Sequence, residues 1–149
     1  MKIEEIPVIK ALGIKLLGAH QRVYEATGGR LGHRLLVVPC LLLRTVGAKT
    51  GMQRSSCLTY ARDGSALLVV ASNGGDRKAP GWYHNLRADP AAEIQIGTHR
   101  QQVTARFALP GDADYDRLWS IVNKNNSNRY NGYQKLTDRP IPVVVLSPV

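Results

Sequence analysis

Two cations, Lys49 and Arg54, stand in and just beyond a turn bounded by glycines, Gly47-Ala48-Lys49-Thr50-Gly51. Glycine reaches positive φ at no steric cost and lets a ligand approach the backbone closely. Positive side chains beside backbone N–H groups make a cradle for an anion, most simply a phosphate. The spacing departs from GxxxxGKS/T, because the lysine precedes the second glycine and a strand is expected to follow. The turn is therefore not read as a nucleoside-triphosphate loop. Three more stretches can join it: Ala71-Ser72-Asn73-Gly74-Gly75, the helix start at Gly81-Trp82-Tyr83, and the loop Asn128-Arg129-Tyr130-Asn131-Gly132-Tyr133. A helix start favours anions through its N–H groups and dipole. The hydroxyls of Tyr130 and Tyr133 can give a hydrogen bond or proton to a substrate oxygen. Trp82 and Tyr83 suit either the core or a wall against a flat heteroaromatic ring.

No stretch supplies a nucleophile with its base. Ser55 and Ser56 have no histidine near them, and His20, His33, His84 and His99 are scattered without HxH or HExxH spacing. Asp112, Asp114 and Asp116 gather at an expected helix start, where carboxylates cap and meet the dipole. Hydrolysis and metal catalysis thus lack support. A reaction carried by a bound cofactor fits better, since the protein then has only to bind, orient and polarise.

The elements that must position these groups come from one domain. A chain of 149 residues with 44% hydrophobic and 21% charged residues is a soluble globular type. Twenty basic residues against eleven acidic give +9, a charge suited to nucleic acid, an anionic membrane surface or a polyanionic small molecule. Cys40 and Cys57 fit no zinc spacing and read as reduced, apolar-strand residues of a cytoplasmic protein. Glu4, Glu5, Lys10 and Lys15 interrupt any secretory signal, and no stretch is long enough for a membrane-spanning helix.

In chain order, residues 6–26 carry Ile9, Leu12, Leu16, Ala19 and Val23 on one helical face. That helix is expected to pack on the domain or a second subunit, with a membrane surface as the alternative. A glycine-rich connector at 27–32 follows. Strands are expected over 35–43, with Pro39 near the start or on an edge, then 56–61 and 66–71, with an Asp63-Gly64 hairpin tip between the last two. A short helix over 80–86, stopped at Asp89-Pro90, precedes strands at 93–97 and 100–109. Ile94 and Ile96 are expected on one face, Glu93 and Gln95 on the other. A helix at 112–124 with Asp112 or Asp114 as cap, a polar loop or short helix at 125–137, and a strand at 141–146 complete the chain. The strands are joined too closely for parallel crossovers. The expected class is α+β: a mainly antiparallel split β-barrel, with an N-terminal helix and linker over 1–30 and the cofactor-binding barrel over 31–149.

Four ordered blocks, LLLRTVGAKTGMQRSSCL, VVASNGG, PGWYHNLRADP and YQKLTDRPIPVVVL, resemble the deazaflavin-dependent nitroreductase and quinone reductase family of actinobacteria. The resemblance spans residues 31–149. It implies a split β-barrel related to flavin-nucleotide-binding barrels, and coenzyme F420 as cofactor, a deazaflavin with a phosphodiester and an oligoglutamate tail. By position it places Ala48, Lys49, Thr50 and Arg54 against the tail and phosphate, and Ser55, Ser56, Cys57, Leu58 and Thr59 along the cofactor. Val70, Ala71, Ser72 and Asn73 would border the ring, with Gly81, Trp82, Tyr83, His84 and Asn85 across from it. Tyr130 would contact the cofactor and, with Tyr133 and Ser72, serve catalysis. Two positions depart from the family pattern. Ala48 stands where many relatives have a basic residue, and Ser127 stands where a nitroreducing relative has another tyrosine. The second difference bears on acceptor preference.

The implied reaction is hydride transfer from reduced F420 to a quinone, an unsaturated carbonyl or lactone, or a nitroaromatic. Rival readings are an FMN-dependent oxidoreductase on the same barrel, a non-catalytic cofactor carrier and a nucleic-acid-binding module. The last lacks any RNP-like or zinc-knuckle motif, so no nucleic acid partner is expected. A homodimer, and peripheral contact of the first helix with the inner face of the membrane, both remain open at this point.

Overall fold

The computed structural model describes residues 34–35 and 38–149, so the helix expected over 6–26 and its connector lie outside the described residues. Within them the order is β1 (Arg34–Leu35), β2 (Val38–Val46), β3 (Gln53–Thr59), β4 (Ala61–Asp63), β5 (Ala66–Val70), α1 (Gly81–Ala88), β6 (Ala91–Ile96), β7 (His99–Ala108), α2 (Tyr115–Asn125), α3 (Arg129–Gln134) and β8 (Val143–Pro148). A single 3₁₀ turn, Asn73–Gly75, follows β5.

Every strand pair is antiparallel, and the sheet runs β1-β2-β6-β7-β8-β5-β4, with β3 also on β2. Only Tyr60 separates β3, which pairs with β2, from β4, which pairs with β5. One run of chain, residues 53–63, therefore joins the two ends of the sheet and curls it into the expected split barrel. At the changeover the Tyr60 N–H donates to the Pro39 carbonyl at 3.2 Å. The single strand expected over 56–61 is thus two, because the change of partner is a long-range event with no local sequence mark.

Both faces of β5 and β8 are covered, which explains their unbroken apolar sequence. Leu67, Val69, Val144 and Leu146 face the barrel interior with Leu41, Leu43, Ile94 and Val103. Leu68, Val70, Val143 and Val145 face outward onto Tyr115, Leu118, Val122 and Tyr130 of α2 and α3. Helix α1 inserts Trp82 and Leu86, four residues apart on one face, into the interior cluster.

One residue is more buried than its type suggests, and one local expectation changes. Gln95 is buried at 2% exposure although it alternates with isoleucine. Its Oε1 accepts from Arg44 Nη2 at 2.7 Å and its Nε2 donates to the Gly97 carbonyl at 3.0 Å, so its burial is satisfied. Neither Asp112 nor Asp114 caps α2 through its side chain. Asp114 holds the N-cap position, but its carboxylate accepts from Arg106 on β7 at 2.8 Å. The Asp112 carboxylate instead accepts the Leu109 N–H at 2.8 Å, closing the preceding turn.

Tyr115 anchors α2 by donating its phenolic O–H to the Ile141 carbonyl at 2.6 Å. Burial, then the neighbouring Asp116, pushes its pKa up to about 12. A phenol that ionises less readily folded than unfolded gives stability that is intact below the ordinary value near 10 and is lost as pH climbs toward the folded value. Tyr115→Phe is expected to flatten the fall in stability between about pH 10 and 12 and to cost about 1–3 kcal/mol at pH 7, where the Ile141 carbonyl loses its donor. Urea unfolding at both pH values checks this, and an unchanged alkaline slope would refute it.

Candidate active site

The basic turn is held from inside and from below. Gly51 N–H donates to the Gly47 carbonyl and Gly47 N–H to the Met52 carbonyl, both at 2.8 Å. A Cβ on Gly47 would lie 2.6 Å from Thr50 Oγ1 and 3.1 Å from the Met52 oxygen, so any larger residue here would displace the Thr50 hydroxyl. From α1, Asn85 Oδ1 accepts the Ala48 N–H at 2.9 Å, while its Nδ2 donates to the buried Thr45 hydroxyl at 3.1 Å. The amides of Lys49 and Thr50 make no hydrogen bond among the described residues. The exposed side chains of Lys49 and Arg54 likewise form no ion pair there. Two amide donors and two unneutralised cations thus stand together on the turn and the start of β3.

Strand β3 leads from this turn to the tyrosines. Ser55, Ser56, Cys57, Leu58 and Thr59 are all half-buried along it. At about 3.3 Å per residue, Arg54 to Thr59 spans about 17 Å. At the far end the Thr59 and Tyr130 hydroxyls are 2.9 Å apart, and either can donate. Tyr130 is 7% exposed, with Tyr133 edge-on at 6.1 Å and Trp119 tilted at 6.3 Å. Burial raises the Tyr130 pKa, opposed by the Thr59 hydroxyl and the Asn126 side chain. Tyr130 is therefore a neutral hydrogen-bonding phenol near pH 7. The buried Asn126 Oδ1 has no partner among the described residues.

The loop after β5 closes the other side of this end. Ser72 is 7% exposed, and Asn73, Gly74 and Gly75 have φ of 46°, 64° and 82°. A Cβ on Gly75 would meet the Tyr133 oxygen at 2.8 Å and Leu136 Cβ at 3.0 Å, so the loop is seated directly on the end of α3. The Arg139 guanidinium holds it from behind, donating to the carbonyls of Ala71, Ser72 and Asp76 at 3.0 Å each. Gln134 fixes that segment in turn, through Nε2 to the Arg139 carbonyl at 2.8 Å and Oε1 from Ile141 N–H at 3.0 Å.

The residues singled out from sequence therefore form two groups joined by β3. One is Ala48, Lys49, Thr50 and Arg54 with Asn85. The other is Thr59, Tyr130 and Tyr133, with Val70–Asn73 packed nearby. Trp82 is buried in the barrel interior, and Tyr83 stands edge-on between Phe107 at 5.5 Å and His84 at 5.9 Å. Gly81 and His84 are exposed. Thr45, Gln134 and Arg139 escaped sequence reasoning. Only the DRP triplet within the last block marks Arg139, and no charge pattern distinguishes it from other arginines.

An antiparallel sheet curled by one run of chain, with a basic turn and a tyrosine pair at opposite ends of β3, is a split barrel. Residues 16–148 match the family described as F420H(2)-dependent quinone reductase, and the chain belongs to that family. It is an oxidoreductase whose cofactor is coenzyme F420. A Mycobacterium tuberculosis protein named F420H(2)-dependent quinone reductase is 57% identical over 137 residues, covering 91% of this chain and 92% of its own length. A solved structure described as an F420-H2 dependent reductase superposes with TM-score 0.65 at 34% identity, over 73% of this chain and 94% of the other. Another, described as a domain-swapped dimer, gives TM-score 0.67 at 29% identity over 91% and 99%. The donor set fits this coenzyme: unpaired cations and amides suit a polyanionic tail, and half-buried β3 offers a rail beside an extended molecule.

Asn85 joins the turn to the barrel, so Asn85→Ala is expected to speed hydrogen exchange of the Ala48 amide by at least roughly tenfold, with global stability lowered by about 1 kcal/mol. Unaltered exchange at Ala48 would show that the clasp does not hold the turn.

Proposed function

We propose that this chain transfers a hydride from reduced F420 to a quinone, with the tail of the coenzyme on the Ala48–Thr50 turn and Arg54, and its ring at the tyrosine end of β3. The observation that carries this reading is the pairing, on one strand, of an unneutralised cationic turn with a neutral phenol–hydroxyl pair. When bound, the reduced deazaflavin supplies the hydride. The chain's own task is then to hold two flat reactants together and to stabilise the oxygen that gains charge.

In this reading Lys49, Arg54 and the Lys49 and Thr50 amides anchor the tail. Ser55–Thr59 line the coenzyme, while Val70–Asn73 and the Gly81–Asn85 helix flank the ring. Asn85 contributes by shaping the turn, since both ends of its amide are already bonded. Trp82 supports the flank from within the core. Tyr133 is half-buried, and Tyr130 is bonded to Thr59 behind it. Tyr133 and Ser72 are accordingly assigned the direct hydrogen bonds to the acceptor oxygen, with Tyr130 supplying or steering a proton through Thr59. Quinones head the acceptor series because the family description and the 57% identical relative both carry that activity. Unsaturated lactones and nitroaromatics belong in the same test panel. A second copy of the chain is a further proposed partner, supported by the dimeric structural neighbour. No described helix is long and apolar enough to cross a membrane.

Titration with oxidised F420 is expected to quench or shift its fluorescence, and the reduced coenzyme should be consumed on adding a soluble quinone. Lys49→Ala should weaken coenzyme binding roughly three- to tenfold and shallow its salt dependence. An affinity unaffected by both the substitution and salt would remove the turn from the tail site. A yellow protein that ignores F420 would transfer the reading to a flavin nucleotide.

A further inference from the structure

Arg139 makes no ion pair among the described residues, yet its guanidinium is half-buried against backbone. Its Nη1 donates to the Ala71 carbonyl and its Nη2 to those of Ser72 and Asp76, all at 3.0 Å, with Nε on Asp76 at 3.3 Å. All the peptide bonds here are trans. In a trans peptide the carbonyl of one residue and the N–H of the next point in opposite directions. Carbonyls 71 and 72 are turned to Arg139, so the N–H groups of Ser72 and Asn73 are turned away from it. Neither amide has a hydrogen-bond partner among the described residues, and neither has the Ser72 hydroxyl, although Ser72 is only 7% exposed.

The opposite side of the loop is fixed as well. Gly75 sits against the Tyr133 carbonyl with no room for a Cβ, and the left-handed run Asn73–Gly75 forces the chain to turn back toward Arg139. The loop is thus clamped between a fixed positive charge and the end of the tyrosine-bearing helix.

We propose that Arg139 is a positioning residue for the reaction, acting through Ser72. It aims the Ser72 and Asn73 amides and the Ser72 hydroxyl, as a set of donors, at an oxygen that accumulates negative charge during hydride transfer. The guanidinium polarises the two peptide units from behind, which strengthens their N–H groups as donors. This rests on the functional reading above, in which Ser72 borders the reacting groups. Lysine carries the same charge but cannot span three carbonyls with a planar fork, so Arg139→Lys is not a conservative change here.

The test uses the full chain with Arg139→Lys and Arg139→Met. Turnover with a saturating quinone is expected to fall roughly ten- to hundredfold in both, with acceptor KM and F420 affinity, measured without acceptor, changed by less than about threefold. The backbone amide resonances of Ser72 and Asn73 should shift in Arg139→Lys, while those of the Ala48–Thr50 turn stay in place. A folded Arg139→Lys with wild-type kcat, or a loss of kcat matched by an equal loss of coenzyme affinity, overturns the proposal. Failure of both variants to fold marks Arg139 as structural and also overturns it. Failure of the wild-type chain to bind F420 instead refutes the functional reading. The amide shifts then decide the clamp alone, and unshifted Ser72 and Asn73 signals would dismiss it.

Discussion

Closure of the sheet by one continuous run of chain is the constraint on which the rest depends. Residues 53–63 pair with β2 over their first part and with β5 over their last, changing partner at Tyr60. An antiparallel sheet of this size has two edges to manage, and joining them in one segment ties both into the same structure. The segment also leaves Ser55–Thr59 half-buried, with the basic turn at its start and the Thr59–Tyr130 pair at its end. The residues that close the barrel are therefore also those proposed to line the coenzyme. A change that loosened β3 would disturb the fold and the distance between the two halves of the site together.

The positive charge is distributed according to use. Arg44, Arg100, Arg106 and Arg117 meet carboxylates of Glu93, Asp114 and Asp63 across strands and between strand and helix. Apart from Arg44–Glu93, these pairs are substantially exposed and contribute little to stability. Arg139 is spent on backbone carbonyls. Lys49 and Arg54, in contrast, lie exposed on the turn and at the start of β3, with no ion pair among the described residues. A net excess of cations becomes informative only when the paired ones are set aside, and the remainder includes the very turn that carries unbonded amides.

Much of the fold was legible in the sequence because its signals were local. The Asp63-Gly64 hairpin, the apolar runs of β5 and β8, and the stop at Asp89-Pro90 each appear within a few residues of where they act. The split of residues 53–63 into two strands was not legible, since partner exchange leaves no local trace. The burial of Gln95 was not legible either, since it depends on Arg44, 51 residues away. In the site, the glycine-bounded turn and the tyrosine pair stood out by residue type. Thr45 and Arg139 did not, because their partners lie 40 or more residues away, and Gln134 did not, because its amide bonds local backbone groups that no residue type marks. The Asp114 cap failed where a distant arginine competed for the same carboxylate.

Two buried tyrosines on neighbouring helices differ in what their hydroxyls can do. Burial raises the pKa of Tyr115 and of Tyr130 alike. Tyr115 donates to a main-chain carbonyl, an acceptor only, so its proton has one place and one direction. Tyr130 faces the Thr59 hydroxyl, which donates as readily as it accepts, so the direction of that bond can reverse without moving a heavy atom. Beside it the buried Asn126 Oδ1 has no partner among the described residues. Reversible polarity and incomplete satisfaction are expensive in a core and serve no packing purpose. Their coincidence at Tyr130 is the ground on which proton handling is proposed at this end of β3 rather than at Tyr115.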